Sequence, residues 1–263
     1  MDVLTERSSR VVSFAKLHRA AERRDQRRFL IEGANAVTAA IETGRAQIVL
    51  VGEDAAPRHH EVVALAESRG LDVLWLTERA VDKLADATTP PGVFAVCSLL
   101  DTSVAEVLAD RPRLLAVAVE PREPGNLGTI IRCADAMGAD GVVVLGDAVD
   151  PHNGKCVRAS AGSVFHLPIA RERNAADGLD ALRGAGLALL ATTADGDVAL
   201  PGAASILAKP TAWLFGNEAH GLPDEIVAAA DHRVSIPIKG RAESLNLATA
   251  AAICLYASST AQG

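Results

Sequence analysis

The sequence predicts an α/β protein made of two successive domains, each combining strands with helices. Short apolar runs rich in β-branched residues alternate with segments whose apolar residues recur at helical spacing, from Phe29 to the end of the chain. Polar turns marked by glycine and asparagine follow several of the apolar runs in the second half. Such alternation is typical of βαβ units on a mostly parallel sheet.

The first domain is expected to contain four strands and three helices. The predicted strands cover 29–33, 47–52, 72–77 and 93–99, and the predicted helices cover 34–44, 59–69 and 78–86. The segment 101–113 is polar at both ends and carries Arg111, Pro112 and Arg113, so it is the best boundary candidate. We therefore expect one domain over 1–105 and a second over 106–263.

The second domain is expected to place five strands on one mostly parallel sheet. The predicted strands cover 114–120, 141–146, 187–193, 212–216 and 233–238, and a last helix covers 245–256. Ligand sites of such sheets lie beyond the carboxyl ends of the strands. The marked turns fall at these ends, which makes them the candidate site.

Composition excludes several classes of protein. The chain has 263 residues and is 49% hydrophobic, yet no apolar run approaches the roughly 20 residues that span a bilayer. The first residues lack the pattern of a secretory signal, so we expect a cytoplasmic protein without a membrane segment. The four cysteines form no CxxC pair and the histidines show no ligand spacing, which favours buried thiols and no metal.

The charge is unevenly distributed. The chain carries a net charge of -7, but residues 1–30 hold eight Lys or Arg and four Asp or Glu. The spacing predicts one basic helix there, with a narrow apolar seam of Val12, Ala15 and Leu17. A basic arm on an acidic body suggests contact with phosphates, although a solvated helix face would give the same pattern.

The first marked turn, PGNLGTIIR at 124–132, leads into a helix. Asn126 can cap that helix, because its side-chain oxygen can accept from free amides of the first turn. Arg132 follows in an otherwise apolar stretch, where an unpaired guanidinium would be costly to bury. An anionic partner is therefore expected for Arg132, and a substrate phosphate is one candidate.

Two further turns are LFGNEAHGL at 214–222 and IPIKGRAESLNLA at 236–248. Gly216 allows bare backbone to approach a ligand, while Asn217 and Glu218 form a polar pair that a capped turn would also explain. Ser244 and Asn246 open the last helix, whose positive end can face anionic groups. No GxGxxG follows a strand and no GxxxxGK[ST] occurs, which argues against a nucleotide-dependent oxidoreductase.

Together the three turns resemble the signature motifs of the SpoU (TrmH-type) RNA ribose 2'-O-methyltransferases of the SPOUT superfamily. The resemblance implies S-adenosylmethionine as cofactor, methyl transfer to a ribose 2'-hydroxyl, and a C-terminal trefoil knot. Glu123 stands where the family usually has aspartate, so the carboxylate is retained. The implied catalytic residues are Asn126, Arg132, Glu218, Ser244 and Asn246, and the implied cofactor-binding residues are Leu214, Gly216, Asn217, Ile236 and Leu245.

The stretch RDQRRFLIEGANAV at 24–37 resembles the substrate-binding extension of two-domain members, which is related to L30e-type RNA binders. It implies a structured RNA partner, with ribosomal RNA, most of all 23S rRNA, favoured over transfer RNA, and the family implies a homodimer. A transfer-RNA 2'-O-methyltransferase and a non-catalytic rRNA-binding protein of the same fold remain alternatives. The implied RNA-side residues are Arg27, Arg28, Glu32 and, in KCVRASAGSVFHLP at 155–168, Arg158, with Ser160 and Gly162 as further candidates. That last stretch could equally be a helix end followed by a strand.

Overall fold

The structure is a computed structural model that describes residues 3–263. In chain order, its strands are β1 (Val3–Leu4), β2 (Arg28–Glu32), β3 (Ala46–Gly52), β4 (Asp72–Leu76), β5 (Val93–Ser98), β6 (Asp101–Thr102), β7 (Leu114–Val119), β8 (Gly141–Leu145), β9 (Ile169–Glu172), β10 (Ala188–Thr192), β11 (Val198–Ala199), β12 (Thr211–Phe215) and β13 (His232–Ser235). Its α-helices are α1 (Ser9–Lys16), α2 (Ala20–Gln26), α3 (Ala34–Glu42), α4 (His60–Ser68), α5 (Glu78–Leu84), α6 (Val104–Ala109), α7 (Pro124–Ala136), α8 (Gly154–Ser160), α9 (Ala175–Gly184), α10 (Ala204–Leu207), α11 (Asp224–Ala229) and α12 (Leu247–Gln262).

The chain divides into two compact units that are not contiguous in sequence. The first comprises Met1–Leu100 and Asp150–His166, and the second comprises Asp101–Val149 and Leu167–Gly263. The grouping differs from the contiguous domains expected over 1–105 and 106–263. The difference arises at α8, which packs against β2 of the first unit although it connects two strands of the second.

The first unit contains a mixed five-stranded sheet in the order β1-β4-β3-β5-β2. β1, β4 and β3 run parallel, and β5 runs antiparallel to both β3 and β2. All four strands and all three helices predicted for this part of the sequence are present, with small shifts of their ends. Leu50, Phe94 and Val96 of the sheet form a core with side chains of the first helix.

The basic N-terminal segment is not the single helix that its spacing predicts. It forms α1 and α2, and α2 ends at Arg27, whose backbone is left-handed with φ 54°. The core face consists of Val11, Phe14 and Leu17, whereas Val12 is 37% exposed. The predicted seam was therefore partly wrong, because Leu17 is buried and Ala15 packs against the core, but Val12 lies one position away from the buried face of Val11 and Phe14.

The second unit contains an eight-stranded sheet in the order β11-β13-β10-β12-β7-β8-β9-β6. Every pairing in it is parallel, which agrees with the expected mostly parallel sheet. The five predicted strands are β7, β8, β10, β12 and β13. The strands that the sequence did not reveal, β6, β9 and β11, have only two to four residues, too few to display a period.

Strand order decides which loops meet at the carboxyl edge of this sheet. β10 lies between β12 and β13, so Thr193 after β10 stands between Gly216 after β12 and Ile236 after β13. β7 lies on the other side of β12, and α7 follows it. All three marked turns therefore share one edge. Within the described part of the chain, no helix has the length and apolar character needed to cross a membrane.

Candidate active site

The first turn of α7 is capped by Glu123. Its carboxylate accepts a hydrogen bond from the Gly125 N–H at 3.1 Å, and Pro124 occupies the first helical position, where its missing N–H costs nothing. Asn126 is therefore not the cap that the sequence predicted, because the helix already begins at Pro124, two residues before Asn126. Its side chain is left available for partners outside the helix.

Asn126 links the other two motifs through side-chain hydrogen bonds. Its Nδ2 donates to Glu218 Oε1 at 2.9 Å, and its Oδ1 accepts from Asn246 Nδ2 at 3.1 Å. Asn246 in turn caps α12, since its Oδ1 accepts from the N–H groups of Ala248 and Thr249 at 2.9 and 3.2 Å. We call the three side chains of Glu218, Asn126 and Asn246 the amide relay; it brings together one predicted catalytic residue from each motif.

Glu218 also holds the backbone that leads into α7. Its carboxylate accepts from the N–H groups of Arg122 and Glu123 at 3.1 and 3.2 Å. Burial raises the pKa of Glu218, but the hydrogen bonds from Asn126 and from backbone N–H groups together lower it by more, so the pKa lies below its ordinary value. An ionised carboxylate only accepts hydrogen bonds, so the NH2 group of Asn126 must face Glu218. The carbonyl oxygen of Asn126 then faces Asn246, whose NH2 group donates to it. Each amide keeps one N–H beyond those used in the relay.

Arg132 and Ser244 lie outside the amide relay. Arg132 is exposed on α7, so its guanidinium is not buried in the apolar stretch, and the expected contact with a substrate phosphate stays a prediction. The apolar residues around it face the core on the other side of the helix. Ser244 is exposed in the irregular segment that precedes α12.

Four of the five predicted cofactor-binding residues lie at the ends of β12 and β13. Leu214 and Gly216 are buried, and Asn217 and Ile236 are partly exposed. Leu245, in the segment before α12, is 36% exposed despite its apolar side chain. The strand order therefore collects residues from two motifs along one stretch of the sheet edge.

Glycine is required at position 216 for a reason internal to the fold. A Cβ atom there would collide with the backbone of Gly221 and Leu222. The turn closes through two backbone hydrogen bonds between Asn217 and Gly221, at 2.8 and 2.9 Å. The Asn217 side chain completes it by accepting from the Ala219 N–H at 2.8 Å. Asn217 thus caps the turn, while the adjacent Glu218 belongs to the amide relay.

Thr193 is a candidate site residue that the sequence did not reveal. Its Oγ1 is buried and, among the described residues, has no hydrogen-bond partner. The neighbouring Thr192 is satisfied, because its hydroxyl donates to the Leu214 carbonyl at 2.6 Å. A buried hydroxyl without a partner is costly, and this one lies between the two cofactor motifs. Threonine at a strand end is unremarkable in sequence, so only the strand order reveals it.

The RNA-side residues predicted in the first unit fall into two groups. Arg27 and Arg28 are exposed. Glu32 is 6% exposed and accepts from the Arg158 guanidinium and from the Asp86 N–H, while Arg158 also pairs with Asp86 at 2.8 Å. Glu32 is therefore an internal ion-pair partner, which corrects the expectation that it faces RNA. Arg158 is largely committed to the same cluster.

The stretch around Arg158 contains a helix end but no strand directly after it. α8 ends at the fully buried Ser160, and Gly162 has φ 104° where it packs on α3. A short 3-10 turn, Ser163–Phe165, follows, and β9 begins only at Ile169. Ser160 and Gly162 are thus structural in this fold.

One arginine of the basic arm is also structural. Arg23 is 4% exposed, and its Nε and Nη2 donate to Asp150 Oδ2 at 3.0 and 2.6 Å. Asp150 Oδ1 accepts from the backbone N–H and pairs with Nδ1 of His152, both at 3.0 Å. This buried cluster attaches the segment after β8 to the rest of the first unit, so Arg23 does not contribute to an exposed basic surface.

Comparison with known proteins decides the family. The family model for SpoU rRNA methylases matches residues 113–256, and the model for the MRM3-like substrate binding domain matches residues 8–95. The chain belongs to the SpoU rRNA methylase family. The expected fold class is thereby confirmed, and the family implies the trefoil knot of the second unit; the L30e likeness of the first unit stays a prediction.

Other members of the SpoU family are similar over almost their whole length. RlmP of Bacillus subtilis (strain 168), a 23S rRNA (guanosine(2553)-2'-O)-methyltransferase, is 34% identical over 251 residues, which cover 95% of this chain and 96% of that protein. An AdoMet-bound rRNA methyltransferase from Sinorhizobium meliloti has a TM-score of 0.84 at 32% identity, covering 98% and 97% of the two chains. The SpoU methyltransferase AviRb from Streptomyces viridochromogenes, in complex with AdoMet, has a TM-score of 0.82 at 29% identity, covering 96% and 98%.

Proposed function

We propose that this protein transfers a methyl group from S-adenosylmethionine to a ribose 2'-hydroxyl of 23S ribosomal RNA. The amide relay carries the proposal, because it joins one side chain from each family motif at the carboxyl edge of the parallel sheet. RlmP, which matches nearly the whole chain, is named for this reaction. A ribosomal substrate would also suit a cytoplasmic protein.

The cofactor would bind along the ends of β12, β10 and β13. Main-chain groups of Gly216 and Ile236 would meet an adenine edge, and the exposed side chains of Leu245 (36%) and Ile238 (41%) would gain apolar contacts. The unpartnered hydroxyl of Thr193 would gain a hydrogen bond. The residues present therefore fit S-adenosylmethionine, which supplies a methyl group activated by its sulfonium.

The amide relay would hold the acceptor oxygen. Asn126 and Asn246 are neutral, and each has one N–H left to donate to a ribose oxygen. Such donors would position the hydroxyl and stabilise the negative charge that develops as its proton leaves to solvent water. The oxygen would then take the methyl group, and S-adenosylhomocysteine would leave. Glu218 would act through Asn126 by fixing its amide, and Ser244 would stand beside the acceptor.

Arg132 would supply positive charge rather than act as a base, since a guanidinium keeps its proton in proteins. It follows Asn126 by six residues, which on a helix is about 9 Å along the axis and a different face. α12 packs against α7 and exposes Ile253 (37%) and Tyr256 (61%). A homodimer that covers these side chains would bring Arg132 to the amide relay of the partner.

RNA recognition would fall to the first unit. Arg27 and Arg28 are exposed near the end of α2, where two positive charges can meet successive phosphates of a structured RNA. The match to a substrate binding domain over residues 8–95 supports this assignment.

The proposal is tested first by calorimetric titration with S-adenosylmethionine and S-adenosylhomocysteine. Binding should then be followed by transfer of labelled methyl groups to an unmodified 23S rRNA transcript, with 2'-O-methyl sites mapped afterwards. Asn126→Ala should bind the cofactor and transfer no methyl groups. Failure to bind either compound, both alone and with the transcript present, would reject the proposal.

A further inference from the structure

Arg122 lies next to the amide relay, in the segment between β7 and α7. Its backbone N–H donates to Glu218 Oε2 at 3.1 Å, so the carboxylate that holds Asn126 also fixes the main chain of Arg122. The Arg122 side chain is 54% exposed. It is therefore anchored at its base and accessible to a ligand at its tip.

Two carboxylates bracket the Arg122 guanidinium. Nη1 donates to Asp147 Oδ2 at 2.9 Å, and Nη2 lies 3.8 Å from Glu120 Oε2. The hydrogen bond with Asp147 is the main cause of a raised pKa at Arg122, with smaller contributions from the charges of Glu120 and Glu218. Guanidinium N–H bonds lie in the plane of the group, so these partners occupy its edge and leave a face to be covered.

Glu120 is itself held in an unusual conformation. It directly follows β7 with φ 49°, a left-handed backbone conformation that residues other than glycine seldom adopt. Its carbonyl accepts from Asn217 Nδ2 at 3.2 Å, and a Cβ at Gly146 would lie 2.7 Å from its Cγ. Glu120 is thus held by the ends of the neighbouring strands β12 and β8, whereas Asp147, the other carboxylate of the bracket, is 88% exposed.

We propose that Arg122 stacks the plane of its guanidinium on the base of the target nucleotide, an inference that rests on the proposed function. A phosphate contact is disfavoured, because Asp147 and Glu120 already lie at 2.9 and 3.8 Å from this single positive charge. Bases taken out of a helix are commonly stacked on aromatic rings or arginine planes. Aromatic residues make up 3% of the chain, and Tyr256 on α12 is the one large aromatic side chain in 3–263 that is mostly exposed.

The test distinguishes the contribution of the planar shape of the Arg122 side chain from the contribution of its positive charge. Methyl transfer to a 23S rRNA transcript is measured for Arg122→Ala, Arg122→Lys and Arg122→His at about pH 8, where an ordinary histidine is neutral. Loss of a stacked base should lower kcat/KM for RNA about 10- to 100-fold in both the alanine and the lysine variants. The planar histidine should regain most of that loss. Cofactor affinity and melting temperature should match the wild type in all three.

Other outcomes would overturn the stacking. If Arg122→Lys keeps wild-type kcat/KM, charge and not shape matters, and the salt slope of RNA binding should then fall in Arg122→Ala by about 0.7 to 0.9. Three variants that all match the wild type would remove Arg122 from the substrate site. Arg183→Ala, which breaks an exposed pair with Asp180, is the matched control and should change nothing. A wild-type protein that binds the cofactor but methylates no ribosomal RNA would instead reject the proposed function itself, and the stacking with it.

Discussion

Replacing Asp150 with alanine should destabilise the protein far more than removal of an exposed carboxylate. The Arg23 guanidinium is 4% exposed and donates twice to Asp150, and its remaining Nη1 donates to the carbonyls of Leu17 and His18. Without Asp150, a full positive charge stays buried with two carbonyl partners. His152 also loses the acceptor of its backbone N–H and its ring.

Removing one partner of a buried ion pair typically costs about 3 to 5 kcal/mol. Asp150 is 19% exposed and Arg23 keeps its carbonyl bonds, so the lower end, about 3 kcal/mol, is expected here. In a chain of this length, that loss corresponds to a fall of roughly 6 to 12 °C in Tm.

Differential scanning calorimetry of Asp150→Ala beside Asp180→Ala gives the comparison. Asp180 pairs with Arg183 at 3.2 Å but is 78% exposed, so its loss should cost under about 0.5 kcal/mol. The double variant Arg23→Met, Asp150→Ala leaves no unpaired charge and should recover much of the stability. Equal Tm values for the two single variants would refute the reasoning.

The pH dependence of the same comparison follows from the pKa of Asp150. Burial raises that pKa, but hydrogen bonds from His152 and Arg23 lower it by more, to well below the ordinary value of 3.8. A depressed carboxyl pKa stabilises the folded state above the unfolded-state value and loses that contribution as the pH falls through the folded-state value. The gap between wild type and Asp150→Ala should therefore stay constant from about pH 5 to 8 and shrink below about pH 4.

Three further predictions concern the site and the RNA surface. Glu218→Gln should lower kcat about 10- to 100-fold without changing cofactor affinity, because a neutral amide cannot accept from all three N–H donors. Because the pKa of Glu218 is lowered, the pH profile of wild-type activity should show no inflection from this carboxyl group above about pH 5. Thr193→Val should weaken S-adenosylmethionine binding about 5- to 10-fold by calorimetry, and unchanged affinity would remove Thr193 from the cofactor site. Changing Arg27 and Arg28 together to alanine should weaken RNA binding and lower its salt slope by about 1 to 2, and an unaltered slope would exclude both from the interface.

Local sequence patterns were sufficient for most strands and for the turns that carry the motifs. Four strands of the second sheet, β7, β8, β10 and β12, are apolar runs of five or six residues that stand out directly in the sequence. The pairing of Asn126 with Asn246, by contrast, spans 120 residues. The resemblance to a family placed both residues in one catalytic site but did not predict this contact, since no local pattern reports a contact of that separation.

What the sequence could not reveal depends on tertiary packing. Thr193 becomes a candidate cofactor-binding residue because β10 lies between β12 and β13, a strand order that cannot be read from the sequence. Glu32 looked like an exposed partner for RNA, yet its carboxylate is matched by Arg158, 126 residues away. In both cases the side chain is ordinary in its local context, and its role follows from a neighbour that is remote in sequence.

The position of Arg132 gives the most direct test of the proposed homodimer. Arg132 is exposed on α7 and is not a member of the amide relay of its own chain, and we propose that it acts on the site of the partner. Arg132→Ala and Asn246→Ala should each be inactive as pure proteins. A mixed dimer would combine an intact Arg132 from one chain with an intact relay from the other.

Mixing the two inactive variants, after partial unfolding to exchange subunits, should therefore restore activity. Random exchange makes half of the dimers mixed, and each mixed dimer has one complete site, so about a quarter of the wild-type rate is expected. If Arg132 served its own chain, the mixed dimer would contain one chain that lacks the arginine and one that lacks Asn246, and neither site would be complete. A mixture that stays inactive, while gel filtration with light scattering shows that subunits have exchanged, would reject catalysis across the interface.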